Sequence, residues 1–263
     1  MEVDIIVVTY NQLALLRQSL YNLRRCTSIS CRIIIVSDGS IDGTEKWLKT
    51  KEAEGMYDKV ILKENGGVSS AFNCGIANTD NELVVTHHSD TILYEGWLES
   101  LLKVWETNQF DLVGTSFRNV IPLRPFGITF PLSSIKDIPC RGISNWPRKT
   151  SFPIEDINAV PVLKIRPHGN LMMLCSRELY QKYGGYIEFG SYGCNDAEFL
   201  DRVRARGARF AVLVRRITHF AETNSTILRQ REESIKRNMQ RLKSKKVHIP
   251  TYDQMIEKYR GRY

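Results

Sequence analysis

A chain of 263 residues, 42% hydrophobic and 25% charged, is long enough to bury a large core, and that composition excludes a disordered protein. The formal net charge of +8 is uneven: residues 227–263 hold eleven Lys or Arg against four Asp or Glu, a balance of +7 that leaves +1 for the preceding 226 residues. No apolar run reaches the ~18 residues of a membrane span, the start MEVDIIVVTY lacks the positive beginning of a secretory signal, and six cysteines without a C-x-x-C pair argue against a disulfide scaffold or a zinc site. A cytoplasmic protein with reduced thiols is expected.

Three β-branched runs open the chain: DIIVVTY (4–10), RIIIVSD (32–38) and DKVILKE (58–64). Each is almost continuously apolar, as a strand covered on both faces must be. Between them, NQLALLRQSLYNLRR and DGTEKWLKTKEAEG repeat apolar residues at helical spacing. The alternation predicts an α/β fold with a parallel sheet, extended by a helix over SSAFNCGIANT, a fourth strand at ELVVT and a helix over EGWLESLLKVWE. Trp97, beside Leu98, Leu101 and Leu102 on that amphipathic helix, is predicted to be core. Eight of the nine prolines fall between Pro122 and Pro167, which predicts a loop-rich insertion after Phe117. Regular pattern returns with NLMMLCSRELYQKYGGY, a strand, a short helix and a Gly-Gly turn. NDAEFLDRVRARG follows as a helix closed by Gly207, and RFAVLVRR as a strand that delivers Thr218 and His219. In the tail, apolar residues at 228, 235, 239 and 242 form one narrow helical seam with a basic face.

In a sheet of this kind ligands bind outside the carboxyl ends of the strands. Those ends are Thr9-Tyr10-Asn11, Ser37-Asp38-Gly39, Glu64-Asn65-Gly66 and His87-His88-Ser89-Asp90, and all four are polar. VVTYNQLALL contains no glycine, which excludes a G-x-G-x-x-G dinucleotide site, and no Walker phosphate loop is present. Asp42, with turn glycines at 39 and 43, has the pattern of a helix cap. Asp38, at the strand end itself, offers a carboxylate to a ribose or a base N–H. Asn65 offers a donor and an acceptor to a base edge, beside glycines 66 and 67 that give the turn backbone freedom. Asp90 follows a strand expected to be buried, where an uncompensated carboxylate is expensive. A divalent cation, Mn2+ or Mg2+, carrying a diphosphate relieves that cost, since such ions take one or two protein groups plus substrate phosphates.

In order, VVTYNQ with its following L..SL, IIIVSDGSIDGT, ENGGVSSAFNCGI, THHSDTILYEGWL, GGY…NDAEFLDRVRARG and THF resemble a family-2 glycosyltransferase of the GT-A fold, over residues 3 to 220. The resemblance implies a Rossmann-like, mostly parallel sheet flanked by helices, with a loop-rich acceptor region. It places nucleotide contacts on Thr9, Tyr10, Asn11, Asp38, Asn65 and Gly66, with His88 and Ser89 beside them in the fourth turn. It places the last aspartate of a D-x-D metal motif on Asp90 and a second metal ligand on His219, and the general base on Asp196. Three positions depart from the family pattern: His88 stands at the first D-x-D position, Phe72 where many members have Arg, and Asn195 where the acid before the base is usual.

The implied organisation is a glycosyltransferase domain over 1–226, with a nucleotide-sugar half (1–117) and an acceptor and base half (118–226), followed by a basic helical appendage (227–263). The implied partners are a uridine or thymidine diphosphate sugar and a hydroxyl-bearing acceptor. The acceptor is expected to meet the proline-rich interval, Asn195, and the turn His168-Gly169-Asn170. The basic tail is open to three uses: a solvated helix packed on the domain, contact with an anionic surface such as the inner membrane face, or nucleic-acid binding. A nucleotidyltransferase on a similar sheet is the rival enzyme, although no Arg- and Gly-rich phosphate turn lies near the first strand.

Overall fold

The computed structural model describes residues 2–93, 95–122, 162–163, 172–190, 193–221 and 225–263. The predicted acceptor turn His168-Gly169-Asn170 and most of the proline-rich interval lie outside the described residues. In chain order the elements are β1 (Val3–Thr9), α1 (Leu13–Cys26), β2 (Cys31–Asp38), α2 (Thr44–Ala53), β3 (Lys59–Lys63), α3 (Val68–Ala77), β4 (Leu83–His88), β5 (Thr91–Ile92) and α4 (Trp97–Trp105). They continue with β6 (Leu112–Pro122), β7 (Val162–Leu163), β8 (Met172–Ser176), α5 (Arg177–Tyr183), α6 (Asn195–Ala205), β9 (Phe210–Ala221), α7 (Ser225–Lys243) and α8 (Tyr252–Tyr259).

Among the described residues one sheet runs β3-β2-β1-β4-β8-β6-β9-β5, with β7 on β9. The first four strands are parallel, as their unbroken apolar runs predict. Successive connections carry the chain outward from β1 to β2 and β3, and the next, through α3, returns it to the other side of β1. The order therefore reverses between β1 and β4, the place where open α/β sheets take their ligands. β8 then enters antiparallel between β4 and β6, and β9 runs parallel to β6.

Side chains alternate along the strands, so each face has its own core. Val3, Ile5 and Val7 pack with Leu16, Leu20 and Leu23 of α1 and with Trp97 of α4 on one side. Ile6 and Val8 pack with Phe72 of α3, Phe199 of α6 and Met255 of α8 on the other. Trp97 is fully buried, as expected, and its indole N–H donates to Thr27 Oγ1 at 3.0 Å. Five cysteines, at 26, 31, 74, 175 and 194, are free thiols among the described residues. Among those residues no helix is long and apolar enough to cross a membrane.

Two expectations need correction. The last core strand does not stop before Thr218-His219; β9 carries both within it and ends at Ala221. The seam of the tail helix is also turned: Met239 is 47% exposed, while polar Ser234 and Asn238 are buried. Asn238 of that buried row donates to Gly193 O and Ile235 packs against the same glycine, so a hydrogen bond and an apolar contact together set the rotation of α7.

Candidate active site

The four polar strand ends meet at one rim because their turns are stitched to one another. Asn11 sits in the left-handed region (φ 49°); its amide donates to Ser40 Oγ at 3.1 Å, and its Oδ1 accepts from the Ile41 amide at 2.7 Å. Helix α1 has no cap of its own at Gln12. Asp42 supplies one from the next turn, accepting from the Leu13 amide at 3.0 Å through Oδ2 while Oδ1 accepts from Thr44. The cap position of α2 itself is Gly43, so Asp42 serves two helices rather than the one its sequence position suggests. Burial pushes the Asp42 carboxyl up, and the hydrogen bonds from Thr44 and from the Leu13 amide outweigh it, holding it below the usual range.

Asp38 is the hub of the next seam. It is buried; the Gly66 and Gly67 amides donate to its Oδ1 and Oδ2 at 3.0 and 2.8 Å, Lys63 Nζ pairs with Oδ1, and Asn65 Nδ2 donates to its carbonyl at 3.0 Å. Through these contacts Asp38 shapes the 65–67 turn. Gly66 is needed there for space, since a Cβ would lie 2.6 Å from Ser70 Oγ. Lys63, fully inside a strand-like run, carried no sequence signal beyond being a charge at a buried position.

At the reversal point Thr9 is buried, and its Oγ1 has no hydrogen-bond partner among the described residues. Tyr10 beside it is 50% exposed. The Ser89 amide donates to Val8 O at 3.3 Å and its hydroxyl to Gln12 Oε1 at 3.0 Å, which ties the fourth turn to the first. His88 is half-buried and meets Phe72 edge to face, with ring centroids 5.1 Å apart. Two departures from the family pattern are therefore one contact. The preceding His87 is fully buried; Ser19 Oγ donates to Thr91 O at 2.9 Å and stands 3.0 Å from His87 Nε2. Ser19 has one proton, and with it on Thr91 O the imidazole must carry its own on Nε2. Burial then drives the His87 pKa down from 6.5 to about 3, which keeps the ring neutral.

Immediately after Asp90, Thr91 of β5 pairs with His219 of β9, and Ile92 with Thr218. Backbone positions 90 and 219 are thereby neighbours at the rim, though more than a hundred residues apart in sequence. Among the described residues no three His, Cys, Asp or Glu side chains converge as a metal cage. Asn195 and Asp196 open α6; Asn195 is buried and Asp196 half-buried, with its Oδ1 accepting from the Ala197 amide at 2.8 Å. Aromatic rings connect this helix to the rim: Phe199 lies 4.5 Å from Tyr186, Tyr186 5.8 Å from Phe72, and Phe72 against His88. Glu198, two residues on, accepts from Arg202 Nε at 2.7 Å.

Residues 4–130 match the family model described as "Glycosyl transferase family 2". An uncharacterised glycosyltransferase of Rickettsia prowazekii is 27% identical over 236 residues, 88% of this chain and 68% of that protein. Among solved structures, TarS of S. aureus in complex with UDP-GlcNAc superposes with a TM-score of 0.60 at 14% identity over 86% of this chain and 59% of that one. The mannosyltransferase PcManGT of Pyrobaculum calidifontis, solved with GDP-Man and Mn2+, gives 0.56 at 17% identity over 81% and 56%. This chain thus spans under two thirds of either solved neighbour, and what those identities support is the shared architecture. Residues 4–130 thus carry the match to glycosyl transferase family 2, and the chain has a GT-A-like fold.

Proposed function

We propose that this protein transfers a sugar from a nucleoside-diphosphate sugar to an acceptor hydroxyl with inversion, and that a divalent cation assists. The observation that carries the proposal is the register of β5 on β9, which brings position 219 beside position 90, two residues beyond the end of β4. One carboxylate and one imidazole suit Mn2+ or Mg2+ when the remaining ligands are diphosphate oxygens. Asp90 and His219 would hold the cation, whose chemistry is to offset the charge that grows on the diphosphate. The Mn2+ and GDP-Man of one structural neighbour and the UDP-GlcNAc of another support this choice of donor class and metal.

The remaining roles fall to the chain's own groups. Thr9 Oγ1, Tyr10, the Asn11 side-chain amide, Asp38, and Asn65 with Gly66 would line the nucleotide, Asp38 also keeping the 65–67 turn in shape. His88 and Ser89 would face the donor between β1 and β4. Asp196 would take the proton of the acceptor hydroxyl as its oxygen bonds to the anomeric carbon, while the bond from that carbon to the diphosphate breaks and the nucleoside diphosphate leaves. A placed base contributes about 10²–10⁴-fold. Asn195 and the 168–170 turn would contact the acceptor.

Thermal stabilisation by UDP-, dTDP- and GDP-sugars, each with and without Mn2+, identifies the donor. With that donor, Asp196→Asn is expected to lose transfer by at least about 100-fold while donor stabilisation persists, and Asp90→Ala to lose both. Transfer by Asp196→Asn at the parental rate removes the base assignment. Full activity in excess chelator removes the cation, and release of pyrophosphate instead of nucleoside diphosphate makes the protein a nucleotidyltransferase.

A further inference from the structure

The C-terminal helices touch the site at a place the charge pattern does not announce. Residues 184–190 and 193–194 lie between the Gly-Gly turn and α6, and alongside Asn73 and Arg202 they are anchored by α7, α8 and the Pro250 turn between them. Pro250 O accepts from the Gly185 amide at 2.9 Å. Glu188 accepts from Tyr259 at 2.6 Å and Lys258 at 2.5 Å, besides Asn73 at 2.9 Å. Arg241 Nη1 donates to Phe189 O at 3.0 Å, with its guanidinium 5.3 Å from that ring. Asn238, 1% exposed, donates from Nδ2 to Gly193 O at 3.0 Å. Ile235 closes the other side: a Cβ on Gly193 would lie 2.4 Å from its Cγ1, and Cys194 Sγ is 3.7 Å from its carbonyl.

These anchors converge on a strained entry. Gly193 (φ 97°) and Cys194 (φ 68°) are both left-handed, and Cys194, a residue with a Cβ, is the N-cap of α6 and makes no side-chain cap. Such a conformation in a non-glycine residue costs on the order of 1–2 kcal/mol and persists where surrounding contacts impose it. Here the contacts that impose it belong to α7. The first hydrogen bond of α6, from the Glu198 amide to Cys194 O at 3.0 Å, starts from that fixed point, and Asp196 lies within the turn it closes.

We propose that the C-terminal helices form a clasp that sets the entry of α6, and that Asn238 is a positioning residue for Asp196, acting through Gly193 O. The catalytic half of the proposal rests on Asp196 being the base; the clasp itself does not. In hydrogen exchange read by mass spectrometry, Asn238→Ala is expected to speed exchange of the 194–200 amides about tenfold or more, with β1 and β4 unchanged. Ile235→Ala, a milder change at a half-buried position, is expected to act on the same peptides and serves if Asn238→Ala does not fold. Unchanged exchange in 194–200, or an equal rise throughout the chain, overturns the clasp.

With the donor and Mn2+ that give the largest thermal shift, Asn238→Ala is expected to lower kcat about tenfold or more and leave donor KM within about twofold, because misplacement of a catalytic group costs rate rather than ground-state binding. An unchanged kcat overturns the positioning role. Asp196→Asn keeps wild-type exchange in 194–200 if the clasp is sound, so a failure of the base assignment is read separately from a failure of the clasp.

Discussion

At the residue scale, His87 shows how a polar strand end is accommodated without a ligand on every group. Burial and the bond with Ser19 make the neutral ring part of the scaffold beneath His88 and Asp90. Its pKa is depressed from 6.5 to about 3, so the folded state refuses a proton that the unfolded chain accepts. The stability this ring contributes is therefore complete above pH 6.5 and is lost as pH falls from 6.5 toward 3, at up to about 1.4 kcal/mol per pH unit. Urea unfolding of His87→Gln, which keeps a donor for Ser19, is expected to show a shallower loss between pH 6 and pH 4 than the parent. Equal slopes would mean that the imidazole is hydrated or charged in the folded protein. From sequence His87 and His88 look alike. Only the pleat separates them, one side chain inward against α1 and the next outward against Phe72.

At the element scale, the strands and helices of residues 3–105 were legible in unbroken apolar runs and helical spacings, save the two-residue β5, too short to carry a pattern, and the reversal between β1 and β4 puts the predicted polar ends on one rim. Less legible was what those ends do for each other. Asp38 and Asn11 sit where ligand contacts are expected and Asp42 where a helix cap is, and each spends hydrogen bonds on a neighbouring turn up to thirty residues away. Such partners come from tertiary packing, which no local pattern encodes. Asp38 and Lys63 form a pair whose side chains are 5% and 4% exposed, and removing one partner of a buried pair leaves the other uncompensated. Asp38→Ala is expected to cost about 3–5 kcal/mol. Lys63→Met should cost less, since the carboxylate keeps the Gly66 and Gly67 amides. Urea titration of both variants tests the order, and a Lys63→Met loss equal to that of Asp38→Ala would show that the amides contribute little.

At the scale of the whole molecule, the tail's charge and the tail's packing belong to different residues. The lysines that make residues 227–263 basic, Lys236, Lys243 and Lys246 among them, are exposed, whereas what enters the protein is Asn238, Met255 and Tyr259. Helix α8 was hidden in the sequence because its two buried residues are a single i, i+4 pair in a polar segment. Its start is set by a capping box of Thr251 and Gln254. Met255 and Tyr259 complete the core shared with Phe72 and Tyr186, and Tyr259 also stands 2.9 Å from Ser70 Oγ, one turn into the helix that follows the 65–67 turn. A buried side chain of this size contributes about 1.5–3 kcal/mol, and Glu188 would lose Lys258 and Tyr259 as partners at the same time. The total is a large share of the roughly 5–15 kcal/mol that holds an ordinary domain together. Deleting residues 248–263 is thus expected to lower the urea midpoint steeply or prevent folding. Replacing Lys236, Lys243 and Lys246 by Gln, though it removes nearly half of the tail's excess charge, should shift stability by no more than about 0.5 kcal/mol per site. If the deletion unfolds at the parental midpoint, α8 is an attachment and not part of the core; if the Gln variant loses salt-sensitive binding to DNA or anionic vesicles that the parent shows, the exposed lysines have a second use beside the packing.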